Sequence, residues 1–180
     1  MVSHILGSSL VVDCALDAAD MNTDGIINIQ DLISLVNTIL GNSRSAHLYG
    51  KAHVEYLSSG NDLIVQITSS IDVAGVQFSI LNDSQIEIEL KDNSHINQDS
   101  HFRNGVHQYL AYSMFNQPFD SRTIEILLKS VGEIDLEDVQ ITISDINGDA
   151  LYLSKSQCGQ SYQTGPYRFE MEALYPNPFN

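Results

Sequence analysis

The chain has no tryptophan, four prolines, two cysteines, and only eight Lys and Arg residues against 23 Asp and Glu. The shortage of cations leaves a formal net charge of -15. So acidic a surface repels phosphate rows and anionic lipids, which excludes nucleic acid and charged membrane faces as partners and favours divalent cations. Two cysteines are too few for a disulfide scaffold and badly spaced for zinc. Cys14 and Cys158 are either joined by one bond in an oxidising compartment or separate thiols. We expect the bond, pinning the first part of the chain to the second. No segment reaches the ~18 to 20 apolar residues that a membrane-spanning helix needs. Met1-Val2-Ser3-His4 offers neither a basic n-region nor a cleavage pattern, so it does not read as a signal peptide. The expectation is a mature fragment, or a chain whose start is lost.

Against these absences stands a hydrophobic content of 43%, enough to bury a core and to argue against disorder. A length of 180 residues suits one large domain or two small ones. The first forty residues read as mostly helical. Leu32, Leu35, Val36, Ile39 and Leu40 recur at the spacing of one helix face, and Gly41 supplies a left-handed stop. Residues 42–46 (NSRSA) are polar and loop-like. From His47 onward the period becomes two. Leu63, Val65 and Ile67 alternate with Ile64, Gln66 and Thr68, and Ile86, Ile88 and Leu90 alternate with Glu87 and Glu89. Residues 124–128 and 139–143 read the same way, and Asn147-Gly148 signals a hairpin turn. Short strands between turns predict a β-sandwich. Residues 157–180 are polar and loop-rich, and Pro176 and Pro178 exclude a regular element at the end.

Residues 20–31 read DMNTDGIINIQD. Hard cations such as calcium take six to eight oxygens, and alternate side chains on a tight loop can converge on one point. Asp20, Asn22 and Asp24 stand at loop positions 1, 3 and 5, and Gly25 permits the sharp turn at position 6. Ile26 offers its carbonyl at position 7, Asn28 reaches through water at position 9, and Asp31 closes the loop at position 12. At an effective dielectric of 20 and a separation of ~5 Å, each carboxylate pair repels by roughly 3 kcal/mol. The arrangement therefore calls for calcium. An internal repeat bears on it: residues 2–7 and 36–41 share V-x-x-I-L-G at an offset of 34 residues. The second copy ends the helix that follows the loop. The first is expected to end an equivalent unit whose loop lies before Met1.

Asp at position 12, Asn at position 9 and the lack of an incoming helix make this segment resemble the dockerin family, whose members carry two loop–helix repeats. The resemblance covers residues 1–41, with only the second repeat whole. It implies partner contacts at loop positions 10 and 11 and in the following helix, which here are Ile29, Gln30, Val36 and Asn37. The hydroxyl pair and basic residues usual in cellulosomal dockerins are missing, which points to a different partner or to packing on the chain's own sandwich. Residues 48–153 are similar to cohesin-like and related carbohydrate-binding sandwiches, through VAGVQF at 73–78, LAYS at 110–113, the strand at 124–128 and a closing hairpin at 139–153. A cohesin is the natural receptor for a dockerin. The ending LYPNPFN at 174–180 looks like the opening of a type IX secretion sorting domain, which implies export by a Gram-negative cell.

Other constellations read as structural. Asp145, Asn147 and Asp149 mimic loop positions 1, 3 and 5, but Ala150 replaces the needed glycine, so a polar hairpin turn is expected. His95, His101 and His107 read as scattered solvent-facing residues rather than a metal site. The acidic pairs Glu87/Glu89 and Glu133/Asp135 read as solvated faces. Tyr109, Tyr112, Phe115 and Phe119 could form a sugar-stacking face, although alternation puts at least half of them in the core. No nucleophile has a catalytic setting, so an enzyme is not expected. The expectation is a mainly β protein: a dockerin-like calcium module at 1–46, a cohesin-like β-sandwich at 47–156 and a tail at 157–180. Its expected role is calcium-dependent protein–protein assembly outside the cell or at its surface, by self-association into a polymer or with a partner of the cohesin or dockerin type. The alternatives are a carbohydrate-binding accessory module of a secreted polysaccharide-degrading enzyme, and a structural spacer of a surface adhesin.

Overall fold

Period-two patterning dominates the chain beyond residue 50, and the computed structural model resolves it into two stacked sheets. The structure describes residues 1–9, 12, 14–41, 50–59, 61–81, 86–91, 93–129, 139–157 and 160–164. Three helices come first: α1 (Val2–Ile5), α2 (Cys14–Ala19) and α3 (Ile29–Leu40). The strands follow: β1 (Lys51–Ser59), β2 (Asp62–Ser69), β3 (Val73–Leu81), β4 (Glu87–Leu90), β5 (Asn97–Arg103), β6 (Val106–Tyr112), β7 (Thr123–Lys129), β8 (Gln140–Asp145), β9 (Tyr152–Gln157) and β10 (Gln160–Thr164). One sheet runs β10-β9-β1-β2-β7-β4 and the other β5-β6-β3-β8. The β1–β9 pair is parallel, and the remaining strand pairs are antiparallel. The chain is thus a mainly β, two-sheet protein, as its patterning predicts.

Alternation sets the inner face. Leu63, Val65 and Ile67 of β2 lie opposite Leu128, Ile126 and Ile124 of β7, and all six are buried. Val76, Phe78, Ile80, Tyr109, Ala111 and Ile143 close the core from the other sheet. The rings of Phe78 and Tyr109 stack with centroids 4.8 Å apart. Each such Leu, Ile or Val contributes about 1.5–3 kcal/mol by leaving water.

Two runs break the alternation. Val73, Ala74, Gly75 and Val76 of β3 are all buried, and so are Tyr109, Leu110, Ala111 and Tyr112 of β6. A strand buried on both faces reads as a continuous apolar run, and the helices cover the outer face here. Ala74, Leu110 and Tyr112 join Ile5, Leu6, Ile29, Leu32 and Ile33 in a second apolar cluster. The segments around α1 and α3 therefore form a third layer on the four-stranded sheet.

Three expectations change in the structure. The buried stripe of α3 runs through Ile29, Leu32, Ile33 and Val36, while Ile39 is 74% exposed and Leu40 44%. The predicted apolar face is thus turned toward the N-terminal half of the helix. The Asn147-Gly148 turn forms, but it does not close a long hairpin: a short bridge of Ser144 to Ala150, with Leu151 N–H donating to the Ile143 carbonyl, is followed by β9, which crosses to the other sheet and pairs with β1. Part of the polar tail is ordered as β10, antiparallel to β9. The repeat finds its counterpart in Gly7 and Gly41, which both sit at φ 70 past a helix end. Cys14 opens α2, whereas Cys158 lies outside the described residues, as do residues 42–46, Glu133, Asp135 and residues 174–180.

Candidate functional site

The loop at 20–31 begins where α2 ends. This helix, CALDAA, is alanine-rich and short, so the loop has an incoming helix of six residues, contrary to the expectation. Within the loop the carboxylates and amides fold the backbone around themselves. Asp20 accepts from the N–H of Asp24 at 3.2 Å and of Gly25 at 2.9 Å. The Asn22 side-chain oxygen accepts from Asp24 N at 3.0 Å, and Asp24 accepts from Ile26 N at 2.8 Å and from Asn22 Nδ2 at 2.9 Å. Thr23 (φ 60) and Gly25 (φ 85) supply the tight bend expected at position 6.

Asp31 ties this loop to α3. It is fully buried. Its Oδ1 accepts from Met21 N at 2.8 Å and Asn22 N at 3.3 Å, and its Oδ2 from Asn28 N at 2.9 Å. Asn28 is the N-cap: its Oδ1 accepts from Gln30 N at 2.7 Å, and with Asp31 it completes a capping box. The Asn28 oxygen expected to reach a cation through water is thus engaged on the helix end. Burial pushes the Asp31 carboxyl above its usual range; the N–H donors of Asn28, Met21 and Asn22 oppose this, and the charge of nearby Asp24 adds to it.

Among the described residues no three His, Cys, Asp or Glu side chains gather into a metal-binding group. The case for calcium therefore rests on the chemistry of the donors: the Asn22 amide and the Ile26 carbonyl would have to join the carboxylates of Asp20, Asp24 and Asp31 around the ion. Such a set suits a hard cation, which takes amide and main-chain oxygens readily. A divalent ion would also offset the repulsion between Asp24 and the buried Asp31.

The residues expected to face a partner are turned inward. Ile29 and Val36 are buried, and Ile29 lies over Gly75 of β3. The Ile29 N–H donates to Gln77 Oε1 at 3.0 Å, and Asn37 Nδ2 donates to the Ile146 carbonyl at 2.7 Å. Gln30 is half-buried and accepts from Asn28 Nδ2 at 3.3 Å. Of the two readings the sequence left open for this face, packing on the chain's own sandwich is the one the structure adopts. Sequence reasoning missed Gln77, Gly75 and Gly148, which build the seat for α3. The unbroken apolar run at 73–76 was the available signal.

The turn at 145–149 belongs to that seat. Asp145 is buried and accepts from Asn147 N at 2.8 Å and Asp149 N at 2.9 Å. Gly148 has φ +89, and a Cβ there would collide with Ser34 Oγ and lie 2.9 Å from the Gln30 carbonyl. This is a turn, as expected, but one pressed under α3 rather than solvated. The three histidines do not converge. His95 contacts the Pro118 carbonyl at 2.9 Å, and His107 is buried with its ring stacked on Phe102, so it is not solvent-facing. Glu87 and Glu89 of the edge strand β4 both pair with Lys129 of the neighbouring β7. Tyr109, Tyr112 and Phe119 are buried and only Phe115, 71% exposed, is free to stack on a sugar. The aromatic face that a glycan reading would need is therefore absent from this set.

No protein-family model and no curated protein matches the chain. Among solved structures it is similar to the non-cellulosomal cohesin from the hyperthermophilic archaeon Archaeoglobus fulgidus, at 14% sequence identity over 58% of this chain and 86% of that one, with a TM-score of 0.41.

Proposed function

We propose that this chain is a non-catalytic, calcium-stabilised module for protein–protein assembly, working outside the cell or on its surface. One observation carries the reading: a calcium-type loop opens directly into a helix that is seated on a β-sandwich, so a loop–helix element and its receptor face stand on one chain. Asp20, Asn22, Asp24, the Ile26 carbonyl and Asp31 would hold the ion, which supplies charge neutralisation and fixes the loop. At 1,000 times Kd, calcium would stabilise the seated form by about 4 kcal/mol.

A contact made within one chain can also be made between copies by exchange of the element that makes it. In this reading α3 of one molecule seats on β3, β6 and β8 of the next, which gives a head-to-tail polymer. The sorting-domain resemblance of residues 174–180 supports export by a Gram-negative cell. Light scattering and electron microscopy of the purified chain, with calcium and with chelator, test the proposal. Large calcium-dependent particles are the expected result. A monomer under both conditions removes self-assembly and leaves binding to a foreign protein or a glycan as the next question.

A further inference from the structure

We infer that Gln77 of β3 is a positioning residue for the calcium loop, so that the sandwich itself sets the loop's affinity for the ion. The inference rests on the calcium reading above and goes beyond it, because Gln77 lies outside the loop and far from it in sequence.

The first N–H groups of a helix have no partner within the helix. At the start of α3 one of them, that of Ile29, is taken by Gln77 Oε1 at 3.0 Å, across 48 residues of sequence. The Ile29 side chain is locked at the same point. A Cβ on Gly75 would collide with Ile29 Cγ1 and lie 2.8 Å from its Cδ1 and 3.2 Å from Ile33 Cγ1. Ile29 thus fills the space left by the missing side chain. It stands between Asn28, which caps the helix, and Asp31, which closes the loop. Asp31 in turn holds the N–H groups of Met21, Asn22 and Asn28. A path therefore runs from β3 to Ile29 by contact, along the backbone of the first helical turn to Asp31, and on by hydrogen bonds to Met21 and Asn22. A loop whose closing residue is already fixed loses less conformational freedom on binding, so it binds more tightly. Reciprocity follows: calcium must stabilise the seat of α3 by the same factor by which the seat strengthens calcium binding.

The test is calorimetric titration of the full chain with calcium alone, after chelator treatment, alongside thermal unfolding with and without the ion. Gln77→Met keeps the side-chain volume but offers only a weak acceptor. Gln77→Glu keeps an acceptor for Ile29 N–H. Gln66→Ala is the control: Gln66 lies on the six-stranded sheet and donates to Glu125 at 3.1 Å. Gln77→Met is expected to weaken calcium binding about fivefold, the equivalent of ~1 kcal/mol for one hydrogen bond, and to shrink the calcium-induced rise in Tm. Gln77→Glu should restore affinity to the wild-type level or tighter, and Gln66→Ala should leave it unchanged. Wild-type affinity in Gln77→Met overturns the inference while leaving the calcium site standing. Equal weakening in Gln77→Met and Gln66→Ala overturns it too, since the effect would then be general destabilisation. A wild-type chain that takes up no calcium overturns the inference and the calcium reading together.

Discussion

Tyr56 of β1 places its hydroxyl inside the sandwich, where it meets no hydrogen-bonding partner among the described residues. Burial pushes its pKa up to about 12. A raised pKa in the folded state gives stability that is complete below the unfolded value of about 10 and is lost as pH rises toward about 12. Tyr56→Phe removes both the orphaned hydroxyl and this alkaline penalty. We expect the variant to gain about 1 kcal/mol at neutral pH and to lose less stability between those two pH values, read by urea unfolding across the range. A loss at neutral pH would mean that the hydroxyl has a partner after all. At this scale the sequence was legible where chemistry is local. Asp20, Asn22, Asp24 and Asp31 stand out because a short loop fixes their spacing, and the structure engages each of them in the loop backbone. Gln77 was not legible, since its role depends on a helix 48 positions away that pattern reading cannot place. Nor was the engagement of Asn28 on the helix N-terminus, although Asn followed three residues later by Asp is a capping pattern.

Among the elements, α3 shows how far periodicity reaches. Its existence and its left-handed stop at Gly41 (φ 70) follow from the sequence, but its start at Ile29, inside the loop positions, and its rotation do not. Ile39 and Leu40 fit an apolar stripe on paper, yet the stripe that is buried includes Ile29 and Ile33, because only at that end do Gly75 and Gly148 let the backbones approach. The turn at 145–149 was likewise legible as a turn but not as a support for the helix. Gly148→Ala is therefore expected to act on the joint between the layers. The new Cβ would meet Ser34 Oγ and the Gln30 carbonyl, and φ +89 is itself unfavourable for alanine. A loss of about 2–4 kcal/mol is expected, together with faster hydrogen exchange in α3 than in β2 and β7. Equal exchange in all three would show that helix and sandwich open as one unit. The strand β4, by contrast, is short and carries Glu87 and Glu89 locked to Lys129 at 3.0 and 2.9 Å, charges that discourage pairing along that edge.

For the whole molecule, the governing quantity is the formal charge of -15, carried by every copy. Copies that associate must overcome mutual repulsion, which salt screens over about 8–10 Å. At fixed calcium, association is therefore expected to strengthen as sodium chloride rises from ~50 to ~300 mM, measured by light scattering. Weakening with salt would instead show that the few cations, such as Arg103, which donates to the Gly7 carbonyl at 3.2 Å, bridge between copies. The two-sheet architecture was readable from period-two patterning. Packing of the helical segment on the sandwich was one of the readings the sequence left open, but the face it covers was not legible, because nothing in the alternation says which outer face is covered. The seat of α3 has a consequence for how such a protein can be taken apart. Helix and sheet meet through two glycines and an apolar patch of Ala74, Leu110 and Tyr112, so neither half is an interchangeable part. Grafted onto another sandwich, the helical segment would find no notch to enter. Cut away from it, the sandwich would present a greasy, uncharged window in an otherwise acidic surface, and insolubility of the truncated piece would be the first sign of it.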